Sequence, residues 1–350
     1  MALDYTQTTD LLAAYETRKK PTTFLQSRYF PNGVNFNTVS VLVEYKNGTQ
    51  TLAPFVSPEI GGKIVKRQGY KAVAYEPAFI APKRAMSVDT LAKKGFGEAL
   101  YNGLSPADRA MAITLDDLTD MDDMIVRRLE QMSAEVLQTN ALIMKHATEN
   151  GEIEETKELA FYEGTNDATY EVAVSWSNPA AKILADVAAM AQSLTRKGLP
   201  ATDIILGANA AEAIYQNEEI LKLLDNRNVN IGAINPTEGF PEAVFIGTLN
   251  CKGHNINFIS YNATYEDETG KMVEYIDKDS AIVTAPGCGV TNYGAVTQIE
   301  YGSTDFTTYV GNRVPLVEIQ GQVKTVALRC APLVQPKNLN PYVCAKVIKA

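Results

Sequence analysis

Apolar residues recur at three- and four-residue steps at Leu118, Met121, Ile125, Leu129, Met132, Val136 and Ile143, the spacing that lines one stripe of an α-helix. The stripe predicts a spine helix over about 116–148, broken once at Asn140 and terminated by Gly151, and roughly 48 Å long at 1.5 Å per residue. Asp116, Asp117 and Asp120 would sit at its positive end and Lys145 and His146 at its negative end. A helix of this kind works through its apolar face, so Met132→Asp is expected to abolish soluble protein. Asp122→Asn is expected to be tolerated.

Before the spine the pattern is extended. Thr9 or Asp10 could cap a short helix through Leu11-Leu12-Ala13-Ala14-Tyr15, with Arg18-Lys19-Lys20 at its end and Pro21 as a stop. Thr38 to Tyr45 alternates like a strand ending at Asn47-Gly48. Ile64-Val65-Lys66-Arg67, a turn at Gln68-Gly69 and Ala72-Val73-Ala74-Tyr75 read as a long hairpin with few large apolar residues. Such a hairpin has no core of its own and must lie on something else.

After Trp176 the pattern changes. Asn178-Pro179 reads as cap and first-turn proline of an alanine-rich helix, Ala180 to Lys197, closed by Gly198. Ile204 to Leu206, Val244 to Ile246, Ile256 to Ile259 and Ala281 to Thr284 read as strands, with short helices over Ala208 to Tyr215 and Glu218 to Leu224 and a turn at Glu268-Thr269-Gly270. Strand patterns return from Val314 to Ile348. Mixed helix and strand of this kind suggest an α+β domain, and α+β is the fold class expected of the chain.

Composition changes the picture through charge. The 350 residues include 32 basic and 41 acidic side chains, a net charge of −9, which disfavours tight binding to phosphate backbones. The charge is unevenly placed: residues 52–94 carry +5, whereas 149–171 carry −7. The basic hairpin is either a solvated loop or an arm that lies across an acidic surface of a neighbouring copy. On the second reading the interface residues are Lys63, Lys66, Arg67, Lys71, Lys83 and Arg84, facing Glu152, Glu154, Glu155 and Glu158.

Little in the chain invites chemistry. His146 reads as a helix-end cation and His254 as a loop residue after Gly253; neither has a protease-like context. The acids Asp116, Asp117, Asp120, Asp122 and Asp123 lack the spacing of a calcium loop and read as helix-start carboxylates. Gly287-Cys288-Gly289 has Asn292 where a dinucleotide loop needs its third glycine, and Gly61-Gly62-Lys63 lacks a following Ser or Thr. Cys251, Cys288, Cys330 and Cys344 form no C-x-x-C pair, so free thiols in a reducing cytoplasm are expected. Neither a signal peptide nor a membrane helix is expected, and no enzyme, metal or cofactor is predicted.

The order of these elements resembles the tailed-phage major capsid fold. Phe55-Val56-Ser57-Pro58, Gly62 to Arg67, Pro77, Ile80-Ala81-Pro82-Lys83 and Asp120-Met121-Asp122-Asp123 resemble the phage-lambda-type major capsid protein E family. Asp277-Lys278-Asp279-Ser280, Gly294 and Cys330-Ala331-Pro332-Leu333 fit the same family, so the likeness runs from about residue 5 to 350. It implies an N-terminal arm (1–50), an E-loop hairpin (51–98), a peripheral domain holding the spine (99–175), an axial domain (176–310) and returning peripheral strands (311–350).

What the resemblance implies is a shell subunit of the virion capsid, made in the host cytoplasm, forming hexamers and pentamers of an icosahedral head around double-stranded DNA. Its partners would be itself, a scaffolding protein, a portal and a decoration protein, with no membrane. An encapsulin-like compartment shell and a soluble enzyme are the alternatives. One branch of the fold welds subunits by a Lys to Asn isopeptide bond, for which Lys63, Lys66 or Lys71 and Asn338 or Asn340 would be the partners; the lambda-type branch is held without it.

Overall fold

A computed structural model describes residues 23–38, 40–45, 71–88, 106–147, 153–162, 166, 168–220, 242–267 and 269–349. The expected helix over residues 9–20 and the arm Ile64 to Arg67 lie outside these. In chain order the described residues open with helix α1 (Phe24–Tyr29), strand β1 (Asn32–Asn35) and the pair β2 (Val41–Tyr45) and β3 (Lys71–Tyr75). Strand β4 (Lys83–Ser87) precedes the spine helix α2 (Pro106–Thr139), which has 34 residues. A hairpin of β5 (Ala141–Ala147) and β6 (Ile153–Ala160) follows.

The spine therefore begins and ends earlier than the apolar spacing predicts. Asn140 is its end rather than a break within it. Its φ of 56° is the left-handed conformation that closes helices, and its N–H still reaches the Val136 carbonyl at 2.9 Å. Beyond it the period switches from three or four to two: Leu142 and Met144 are buried while Ile143 and Lys145 are exposed. Lys145 and His146 are thus strand residues, not helix-end cations, and Asp116, Asp117 and Asp120 lie mid-helix, with only Asp108 acidic in the first turn.

The core of the C-terminal half is a six-stranded sheet. It is built from β7 (Thr169–Glu171), β8 (Asp203–Leu206), β9 (Ala243–Cys251), β10 (His254–Tyr261), β13 (Ser280–Thr284) and β20 (Val343–Lys346) in the order β7-β20-β13-β8-β10-β9. Two pairings are parallel, β10 with β8 and β20 with β7; the rest are antiparallel. Every residue of β8 and β13 is buried, as expected of strands covered on both faces. Helix α3 (Ile183–Arg196) lays Val187, Met190, Ala191 and Leu194 among Ile204, Leu206, Phe258 and Val283. Helix α4 (Ala208–Gln216) adds Ala210 and Ile214.

Helix α3 starts three residues later than Asn178-Pro179 suggests. The Asn178 side-chain oxygen accepts the Ala180 N–H at 2.9 Å, and its carbonyl accepts that of Ala181 at 2.9 Å, so the stretch closes turns first. His254 is not in a loop: it opens β10 after a two-residue turn in which Lys252 and Gly253 have φ of 49° and 99°.

The remaining strands form smaller sheets. Strands β11 (Thr264–Glu266) and β12 (Met272–Glu274) pair as a small hairpin, and β14 (Gly289–Tyr293) lies between β1 and β19 (Pro332–Pro336). Strands β15 (Val296–Ile299) and β16 (Phe306–Tyr309) form a second separate hairpin. Strands β17 (Val314–Gln320) and β18 (Val323–Arg329) make a sheet with β4. Phe24, Leu25 and Tyr29 of α1 share one core with Met121, Ile125, Leu129 and Met132 of the spine. Gly289 is required where it stands, because a Cβ there would lie 2.1 Å from the Phe30 ring and 2.8 Å from the Gln335 carbonyl.

Candidate subunit interface

Of the expected interface residues, Lys63, Lys66, Arg67 and Glu152 lie outside the described residues. Lys71 is on β3, where it pairs with Tyr45, so the described arm of the basic hairpin pairs with β2. Lys83 and Arg84 are on β4, held in a sheet with β18 rather than in a loop. Glu154, Glu155 and Glu158 all lie on β6, with Glu158 exposed. Lys83 and Arg84 thus lie on β4 and Glu158 on β6, two strands that belong to different sheets.

Instead, the foot of the basic arm is fixed to its own chain. Arg84 Nη1 donates to Asp117 at 2.9 Å and to Asp120 at 2.8 Å on the spine, and these acids hold its pKa above the ordinary arginine value. Lys157 of β6 pairs with Glu76, whose carboxyl is held below its ordinary pKa by that bond. Tyr75 is buried, with its ring centroid 5.3 Å from that of Phe161. The hairpin thus has a core at its base, supplied by the β5–β6 region.

Helix α1 is fixed by two acids from different parts of the fold. Its first N–H groups are not capped by Thr23. Glu130 of the spine accepts them, from Leu25 at 2.9 Å and Gln26 at 2.9 Å, together with the Tyr261 hydroxyl at 2.5 Å. Burial raises the Glu130 pKa, while these donors pull it the other way. At the other end Arg28 gives Nε and Nη2 to Asp203 Oδ2 at 2.8 and 2.7 Å, the Tyr29 hydroxyl adds a bond at 3.1 Å, and Asn257 serves Oδ1 at 3.0 Å. Asp203 is fully buried, and these donors supply the hydrogen bonds that its carboxylate oxygens would otherwise take from water.

Two further polar contacts join distant segments, and the sequence reading missed both. Asp122 accepts from Arg313, overturning its place among solvated helix-start carboxylates. Asn140 donates to Asn340 at 2.5 Å and accepts from Tyr342 at 2.5 Å. Asn340 is itself buried at a φ of 48°, so one of the two asparagines weighed as crosslink acceptors is committed to a contact within the chain. All four cysteines are free. Burial pushes the thiols of Cys288, Cys330 and Cys344 up to about 12 and that of Cys251 up to about 11, which leaves them protonated near neutrality. Among the described residues no group of His, Cys, Asp and Glu could hold a metal ion, and no helix is long and apolar enough to cross a membrane.

The sequence profile of the phage major capsid protein E family matches residues 7–347, nearly the whole chain. The chain belongs to that family. Curated members with detectable similarity include the major capsid protein of enterobacteria phage P21, 28% identical over 171 residues, which is 49% of this chain and 48% of the relative. The major capsid protein of Escherichia phage lambda is 24% identical over 127 residues, 36% of this chain and 37% of the relative. The chain spans about half the length of the P21 relative and less of the lambda one. The fold is shared more widely. A prophage protein of E. coli CFT073, assigned as a capsid protein, superposes with a TM-score of 0.65 at 18% identity over 97% of this chain and 98% of its own. A phage-related protein from Bordetella bronchiseptica does so with a TM-score of 0.50 at 9% identity over 96% and 95%. Both share the fold of this capsid protein E chain, and the first of them is named as a capsid protein.

Proposed function

We propose that this chain is the repeating subunit of a tailed-phage head, forming the hexamers and pentamers of an icosahedral shell that encloses double-stranded DNA. The observation that carries the reading is the family match over residues 7–347. The net charge of −9 agrees with a shell that holds a genome without gripping it. In this reading residues 1–50 are the arm, 51–98 the E-loop, 99–175 and 311–350 the peripheral domain, and 176–310 the axial domain. A scaffolding protein, a portal and a decoration protein are its partners, the protein resides in the virion after synthesis in the host cytoplasm, and its role is structural rather than enzymatic.

The E-loop would reach a neighbouring copy through Lys63, Lys66, Arg67 and Lys71, with the acidic β6 region carrying Glu154, Glu155 and Glu158 as its counterpart. Lys83 and Arg84 serve the foot of the loop. Electron microscopy and sedimentation of the purified chain test the function: capsomers, tubes or shells support it, and a strict monomer at high concentration overturns it. Within assembling protein, reversing Lys66 and Arg67 to Glu should slow assembly with thermal unfolding almost unchanged, and reversing Glu154 and Glu155 to Lys should restore part of the loss. Wild-type assembly by the Lys66/Arg67 variant would return the hairpin to the solvated-loop reading.

A further inference from the structure

The hairpin β15–β16 presents an unusual outer face. Its inner residues Val296 and Gln298 are buried, and Tyr309 packs against the cluster of Val296, Val314 and Ala331. On the other face Ile299 and Phe306 stand directly opposite each other across the strands, and they remain 45% and 76% exposed. Tyr301 at the tip and Val310 beyond the second strand are exposed too. From residue 290 to 312 the sequence has no lysine or arginine, and its only charges are Glu300 and Asp305, at the hairpin tip. A bare aromatic–aliphatic pair bordered by acids is costly to leave in water and fits an apolar partner rimmed by bases.

The chain carries a surface of that kind. On the spine, Met124 is 51% exposed although its neighbours Met121 and Ile125 are buried. Arg127 and Arg128, three and four residues on, share its face and are exposed as well. One thioether flanked by two guanidinium groups complements one phenyl ring flanked by two carboxylates. Arginine also stacks on aromatic faces, so Phe306 would gain from the same side chains that meet the acids.

We infer that the β15–β16 hairpin of one copy docks on the Met124, Arg127 and Arg128 face of the spine helix of a second copy, with Phe306 and Ile299 covering Met124 and the tip acids facing the arginines. The inference rests on the shell reading and names one of its contacts. Aromatic anchors in such patches carry a disproportionate share of binding energy, so Phe306 is the residue whose loss matters most. Its side chain is largely outside the fold, so its removal leaves the monomer intact.

Mixing the full chain carrying Phe306→Cys with the full chain carrying Met124→Cys, under mild oxidation, tests the contact directly. The expected result is a disulfide-linked heterodimer that neither variant gives alone, since three of the four native cysteines are buried. Independently, Phe306→Ser should slow assembly at least about tenfold, as truncation of a central aromatic does, with the thermal midpoint unchanged. Arg127→Glu should slow it as well, and Asp305→Lys in the same chain should recover part of that loss. Wild-type protein that assembles, without a crosslink and with Phe306→Ser assembling at the wild-type rate, overturns the docking and leaves the shell reading standing. Wild-type protein that stays monomeric at every concentration overturns both.

Discussion

Asp122 and Arg313, 191 residues apart in sequence, form an ion pair with Nε to Oδ1 at 2.7 Å, each side chain only 6% exposed. The pair ties the middle of the spine to the start of β17, the strand that leads into the sheet shared with β4. Removing one partner leaves the other charge buried and uncompensated, a loss of about 3 to 5 kcal/mol. Asp122→Asn is therefore expected to lower soluble yield and the thermal midpoint markedly. Replacing both residues together, Asp122→Leu with Arg313→Met, should cost less than the single change. Denaturant unfolding of the three proteins checks this, and an Asp122→Asn midpoint equal to wild type would return Asp122 to the solvated acids.

Glu130 gives stability a pH dependence of definite sign. Burial raises its folded pKa above the ordinary carboxylate value, so the folded state binds that proton more tightly than the unfolded chain does. The resulting contribution is fully present below the unfolded pKa and is lost as pH rises through the folded one. Relative to Glu130→Gln, which does not titrate, the wild type should gain stability as pH is lowered from neutrality towards the ordinary glutamate range. Thermal midpoints of the two proteins across that range test the sign.

Asn140 separates a backbone effect from a side-chain effect. Asn140→Gly keeps the left-handed turn but removes the bonds to Asn340 and Tyr342; Asn140→Ala removes both. The left-handed conformation costs a residue with a Cβ roughly 1 to 2 kcal/mol, so Ala should be worse than Gly by about that amount. Both should fall below wild type in chemical denaturation.

Arg84 bonds to two acids but is 42% exposed. Exposed pairs contribute at most about 1 kcal/mol, so Arg84→Ala should barely move the unfolding midpoint. The small effect should shrink further in high salt. A loss of several kcal/mol would show that the foot of the basic arm is a structural keystone of the monomer.

How much of this was written locally is clearest on the spine. Leu118, Met121, Ile125, Leu129, Met132 and Val136 form the stripe, and all six are buried. Ile143 fits the same spacing by coincidence, on a strand, because the stop at Asn140 depends on partners 200 and 202 residues away. Helix α1 had no local signature for a related reason: with six residues and no cap of its own, it is held by Glu130 and Asp203, and neither could be matched to it by spacing. The strands of the C-terminal half were readable because their apolar runs are short and bounded by turns. Their order in the sheet was not, since it follows from pairings between segments far apart. The basic residues of the expected interface were legible as a charge imbalance. Their assignment to a neighbour overlooked Asp117 and Asp120, which lie one turn apart on the spine and claim Arg84 first.

The position of β20 also sets a timetable for synthesis. Among the described residues β7 pairs with the six-stranded sheet only through β20, by the parallel register of Thr169 with Cys344 and Glu171 with Lys346. Residues 169–171 therefore leave the ribosome long before their sheet neighbour exists. At about 5 to 20 residues per second that wait is roughly ten to thirty seconds. Over the last roughly 60 residues of that interval, about three to twelve seconds, β13 exposes an unpaired edge, made of the apolar run Ala281-Ile282-Val283, to any strand that reaches it first. A nascent chain of this kind is guarded by whatever keeps other copies away until residue 346 is in place, and crowding of polysomes is the condition under which it should misassemble.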